Sequence, residues 1–164
     1  MVESPEARLK QFFETAKVAR AATGPISKGV AVNIHFVKGV FPALKDTHPP
    51  CHFLRSPAGP AIVSGDHQDP DFTLYMPASS VDRLAAIKSD DPGDFGVEFF
   101  KLCMSRDESE KIRVRVRAGV LRLLSHGYFG VLTLGGRKMV AFLKEKGAFG
   151  MTGFKAVINR LRGG

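Results

Sequence analysis

Several stretches of the chain bring together residue types that could do chemistry. His48-Pro49-Pro50-Cys51-His52 offers two imidazoles and a thiol, the ligand types of zinc. It supplies three ligands at most, on a segment stiffened by two prolines, and reads as a turn. Gly65 to Asp71 carries Asp66, Asp69 and Asp71 but lacks the ordered acids and distal Glu of a calcium loop, so it reads as a polar hairpin turn. Leu134-Gly135-Gly136-Arg137-Lys138 could present two glycine amides and two cations to a phosphate, without the spacing of a Walker loop or a dinucleotide fingerprint; a cap or turn is the simpler reading. Ser125-His126 is a neighbouring pair inside an apolar helical pattern, and no nucleophile elbow surrounds it. Asp90, Asp91, Asp94 and Glu98 cluster where a turn needs polar residues. These readings point away from an enzyme and call for no metal and no cofactor.

The elements that would position such residues are legible from periodicity. Ser4-Pro5-Glu6 supplies a cap, a first-turn proline and a first-turn acid, and Leu9, Phe12, Phe13, Ala16 and Ala19 follow at helical spacing, which predicts one helix over 4–20. Val30, Val32, Ile34 and Phe36 alternate with less apolar neighbours as a strand does. The five prolines between 39 and 60 predict loops around at most one short edge strand, Cys51 to Arg55, followed by a second short strand over 59–65. Phe72, Leu74 and Met76 give another strand. It hands the chain to a helix that Ser79 would cap, with Val81, Leu84 and Ala85 on its apolar face. A second, largely buried helix is predicted over 95–104. After Val120 the pattern is helical and very apolar, interrupted by glycines, and Arg137 to Lys146 and 153–162 give two further helices.

The chain has 164 residues, a length that fits one domain able to bury roughly two thirds of its unfolded surface. It contains 13 Phe and no Trp, which enlarges a core or lines a cavity. The opening residues lack the basic and apolar regions of a secretory signal, and no apolar run approaches the roughly 18 residues of a membrane span, so the sequence reads as cytoplasmic. Cys51 and Cys103 then read as reduced structural thiols.

Charge is unevenly placed. Residues 1–110 hold 12 Lys and Arg against 15 Asp and Glu; residues 111–164 hold 12 against Glu145 alone. Within this basic third, Lys111, Arg113, Arg115 and Arg117 alternate with Ile112, Val114 and Val116, a period of two that predicts a strand with one basic face. Such a face is either simply solvated or a stripe that meets an anion, and Arg137 and Lys138 could join it.

The order of elements, with Pro70-Asp71-Phe72-Thr73-Leu74 leading into the helix of Val81, Leu84 and Ile87 and with the later Lys111-to-Val116 strand, resembles the sterol carrier protein type two domain family over roughly residues 28–146. The resemblance implies an α+β fold: a mostly antiparallel sheet of about five strands, helices packed on one face, and an apolar cavity between sheet and helices. It also implies binding or transfer of a fatty acyl, sterol-like or other lipid without chemistry. The basic strand and the proline-rich stretch depart from the family's pattern. The residues themselves place the lining in the helix of 95–104 and the segment after Val120; with the strand of 72–76 the candidates are Phe72, Leu74, Phe95, Phe99, Phe100, Leu121, Leu124, Phe129 and Leu132. Arg113, Arg115, Arg117, Arg137 and Lys138 are the candidate anion-facing residues, for which an anionic membrane is one partner. The alternative function is a basic module that binds nucleic acid or an acidic protein, although aromatic residues do not interleave with its cations as a stacking platform requires.

Overall fold

The computed structural model describes residues 3–145 together with Lys155, Ile158 and Asn159. The chain starts as the sequence suggests: the Ser4 hydroxyl accepts from the Ala7 N–H at 3.1 Å, Pro5 opens the first turn, and α1 runs Pro5–Thr15. It does not continue to residue 20. Ala16 is extended (φ −76°, ψ 127°), and α2, Lys17–Thr23, follows in a new direction that buries Val18, Ala19 and Ala22. Arg20 fixes the corner by donating to the carbonyls of Glu14 and Ala58, each at 3.2 Å.

Among the described residues six strands follow: β1 Ala31–Lys38, β2 Lys45–Asp46, β3 Cys51–Ser56, β4 Gly59–Ser64, β5 Phe72–Met76 and β6 Arg113–Val116. The order is β4-β3-β1-β5-β6, with β2 paired to the end of β1. Every pairing is antiparallel except β1 with β5, so the sheet is mixed. β3 corrects the proline-based expectation of an edge strand: it lies between β1 and β4. Pro49 and Pro50 precede it, and Pro57 follows it, so its own residues keep the N–H groups that a two-sided ladder needs. The segment 65–71 is no hairpin, because it carries the chain from β4 past β3 and β1 to β5. Asn33 holds it, donating to the His67 carbonyl at 3.1 Å and accepting from the His67 N–H at 2.8 Å.

Because strand side chains alternate, register divides the sheet into two chemistries. Val32, Ile34 and Phe36 share a face with Phe53, Ile62, Phe72, Leu74, Met76, Val114 and Val116. Asn33, His35, His52, Thr73, Tyr75, Arg113 and Arg115 lie on the other. The helices pack on the apolar face.

α3, Ala78–Ala85, starts two residues earlier than expected, with Pro77 at the cap; the Ser79 hydroxyl is turned away to donate to the Ser109 carbonyl at 2.6 Å. α4, Pro92–Cys103, starts at its own proline behind Asp91, which accepts from the Gly93 N–H at 2.8 Å. The apolar last part of the described chain splits into α5 Val120–Ser125, α6 Tyr128–Leu134 and α7 Gly136–Glu145. Both breaks need glycine. Gly127 has φ +91°, and a Cβ there would fall 2.0 Å from the Pro25 carbonyl oxygen. A Cβ on Gly135 would sit 2.4 Å from the Met139 Cβ and 3.2 Å from the Gly93 Cα of α4. The helix expected over 153–162 lies outside the described residues, except that Lys155, Ile158 and Asn159 are helical.

Candidate functional site: an apolar cavity between sheet and helices

The apolar face of the sheet does not meet the helices everywhere. Between them lies a cavity of about 190 Å³. The sheet contributes Val32, Ile34, Phe53, Phe72, Leu74, Met76 and Val114, which are alternate residues of β1, β3, β5 and β6. Opposite them stand Leu9 and Phe13 of α1, Phe95, Phe99 and Phe100 of α4, Val131 and Leu132 of α6, Met139 of α7, and Ile158. Aromatic rings keep the space open because they pack on one another: Phe95 stacks on Phe99 at 6.3 Å between centroids, Phe99 meets Phe100 edge-on at 5.8 Å, and Phe13 meets Phe53 at 5.5 Å. A flat ring fixed by its neighbours cannot collapse into a void as a flexible Leu or Met can.

Polar atoms are nearly absent from the wall. The Thr23 hydroxyl is spent on the Ala19 carbonyl at 2.8 Å. Tyr128 presents its ring beside Phe72 at 5.0 Å, and its buried hydroxyl makes no aligned hydrogen bond. Burial, and then the neighbouring Asp71 charge, push that phenol well above the usual tyrosine range. Among the described residues of the wall, Thr23 and Tyr128 are the ones that carry a hydroxyl. Among the described residues no group of three or more His, Cys, Asp or Glu is arranged to hold a metal ion. Cys51 and His52 are neighbours on β3 and so point to opposite faces, while His48 is in the exposed loop before it. Ser125 donates to the Arg122 carbonyl at 2.8 Å and therefore not to His126.

Of the sequence-based candidates, Phe72, Leu74, Phe95, Phe99, Phe100 and Leu132 line the cavity. Leu124 and Phe129 pack against the core from behind the wall, and Leu121 is 82% exposed. Among the described residues none of the lining comes from α5, and α6 contributes Tyr128, Val131 and Leu132. The wall residues missed by reading one element at a time, Leu9, Phe13 and Ile158 above all, come from the two ends of the chain.

The basic residues do not form one uniform field. Arg113 pairs with Glu108 at 2.8 Å, and Lys138 with Asp94 at 2.8 Å and Asp91 at 3.2 Å. Lys138 thereby holds Asp94 below the ordinary carboxylate range. The Arg117 side chain makes a long contact to the Thr73 hydroxyl, at 3.4 Å, and Arg115 and Arg137 are exposed.

Asp71, which the sequence offered only as part of a polar turn, ties together the elements at one end of the sheet. Asp71, 1% exposed at the head of β5, sits with Oδ2 2.6 Å from His126 Nδ1 and Oδ1 2.9 Å from Arg122 Nε. Arg122 also grips Asp69 at 3.0 Å, and its guanidinium pulls the Asp69 carboxyl below the usual range. The Asp71 carbonyl accepts from the N–H groups of Arg117 and Ala118. One residue thus ties β5, the end of β6 and α5 together, and so fixes where α6 delivers Tyr128, Val131 and Leu132 to the wall.

No family model matches the chain, and no curated protein matches it. Among solved structures, one described as "UbiJ-SCP2 Ubiquinone synthesis protein" matches with 13% sequence identity and a TM-score of 0.41, over 79% of this chain and 90% of that one. No helix among the described residues is long and apolar enough to cross a membrane.

Proposed function

We propose that the protein binds the apolar part of an amphipathic small molecule, such as the end of a fatty acyl chain, in the cavity between its sheet and its helices, and performs no chemistry on it. The observation that supports this reading is the cavity itself: a void walled by aromatic and aliphatic side chains whose two polar residues, Thr23 and Tyr128, offer no reactive pair. Water has too few partners there to be held well, so an apolar group would displace little that is favourable.

Its volume sets the size of the guest. An apolar cavity of about 150 Å³ takes benzene, and pockets that enclose a whole drug-sized ligand run from about 300 Å³ upward. At about 190 Å³ the space suits a ring or a short run of chain, and a complete sterol would require the wall to move. The polar end of such a guest would remain outside. Native mass spectrometry of protein purified without detergent tests the reading: a co-purified lipid, or saturable uptake of a fluorescent acyl probe that a fatty acid displaces, is the expected result. Protein that carries nothing and takes up no probe would remove it.

A further inference from the structure

The turn joining β1 to β2 carries two large apolar side chains into solvent, Val40 at 60% and Phe41 at 56% exposure. The Ala43 N–H donates to the Val40 carbonyl at 2.8 Å, and Phe41 and Pro42, joined by a cis peptide, form the tip. The Phe41 ring does not lie flat on the protein's own apolar surface. It is held by Arg113, whose guanidinium carbon lies 4.6 Å from the ring centroid and whose charge is taken up by Glu108.

Around this tip the cations are arranged at a cost. Lys38 and Lys45 are direct cross-strand partners, and like charges opposite one another weaken a two-stranded ribbon. Both are exposed, and no ion pair among the described residues includes either of them, although Asp46 is adjacent in sequence. Arg115, two residues further along β6, lies in the row of Thr73 and Asn33 and so away from the tip. An apolar tip flanked by uncompensated cations matches a surface that is anionic outside and apolar a few ångströms beneath. A nucleic acid would supply the phosphates and leave Val40 without an apolar layer to enter.

We propose that this turn is a docking tip for an anionic lipid bilayer: Val40 and Phe41 enter the acyl boundary while Lys38 and Lys45 meet head-group phosphates. The surface lies outside the cavity, so it stands or falls separately from the ligand reading. The chain contains no Trp, so Phe41→Trp installs a single reporter at the tip. With vesicles of phosphatidylcholine and phosphatidylglycerol at low salt its emission should shift to the blue and be quenched by brominated acyl chains, and pure phosphatidylcholine should give neither effect.

In flotation assays the pair Val40→Ser and Phe41→Ser should bind these vesicles at least about tenfold more weakly than wild type. Lys38→Gln and Lys45→Gln should each cost about fivefold, the equivalent of about 1 kcal/mol per cation. Unchanged melting and unchanged acyl-probe uptake by the same variants would show the fold and cavity intact. Wild-type protein that ignores anionic vesicles, a reporter that stays unshifted on bound vesicles, or a serine pair that binds as wild type would each overturn the proposal. So would tight binding of a single-stranded oligonucleotide that the lysine variants lose and the serine pair keeps.

Discussion

Replacing Val131 by Phe separates an open cavity from a close-packed core by the sign of a stability change. Val131 is on α6 and faces the cavity. Phe adds four carbons, and at about 0.8 kcal/mol per buried carbon the gross gain in an empty apolar space is about 3 kcal/mol. Loss of side-chain freedom and imperfect fit reduce this to the roughly 0.5–2 kcal/mol typical of cavity filling. For a chain of 164 residues, each kcal/mol moves the midpoint by about 2–4 °C, so Tm should rise by about 1–8 °C. In a core without space the same change would cost about 1–3 kcal/mol and lower Tm. The void is also only slightly larger than one that accommodates a benzene ring, so the new phenyl group should occupy most of it and reduce acyl-probe uptake at least tenfold. A thermal melt and a fluorescence titration on one preparation read both quantities. A lower Tm together with undiminished uptake would refute the reasoning at both steps.

Phe99→Ala should weaken probe uptake by removing the ring between Phe95 and Phe100, whereas Leu121→Ala, at a solvent-facing position, should change neither uptake nor Tm by a measurable amount. Asp71→Asn should cost about 1.5–3 kcal/mol in a denaturant melt, the range for hydrogen bonds to charged groups. It should stay below the roughly 3–5 kcal/mol of a fully buried pair, because Arg122 is 38% exposed and keeps Asp69. Burial pushes the Cys51 and Cys103 thiols up to about 12, so both should resist alkylation at pH 8 until the chain unfolds. The same shifts give an alkaline limit. Each thiol releases its proton near its ordinary value of 9.0 only when unfolded, so their contribution to stability is complete below pH 9 and is lost between pH 9 and about 12, which equilibrium unfolding in that range would show.

Strands were legible wherever alternation ran uninterrupted, as in β1 and β5, because a period of two needs no knowledge of partners. Sheet order was not, since nothing local to Cys51–Ser56 says that a second strand will cover its other edge. Turns misled for a related reason: a polar link such as 65–71 looks the same whether the chain reverses or crosses the sheet. The cavity was half legible. The α4 phenylalanines announced an excess of apolar surface, but the break at Ala16 has no strong residue signature, and Gly127, though legible as an interruption, does not say in which direction the next helix leaves. The Arg113 partner was invisible because Glu108 lies across a turn and outside the alternation that marked the stripe.

β6 ends the sheet on one side, four residues long and with an arginine at every second position. An unpaired strand edge is a template on which another chain can add itself, and charged side chains on a short edge are among the features that discourage such growth. The arginines that catch the eye as an anion-seeking stripe therefore also act as gatekeepers of solubility: Arg115 must be solvated wherever the strand goes, and a second copy approaching in register would bring its own arginines against these. Replacing Arg113 and Arg115 with valine would leave the sheet's own hydrogen bonds in place and turn its margin into an adhesive strip, one carried on the same strand whose opposite face walls the cavity.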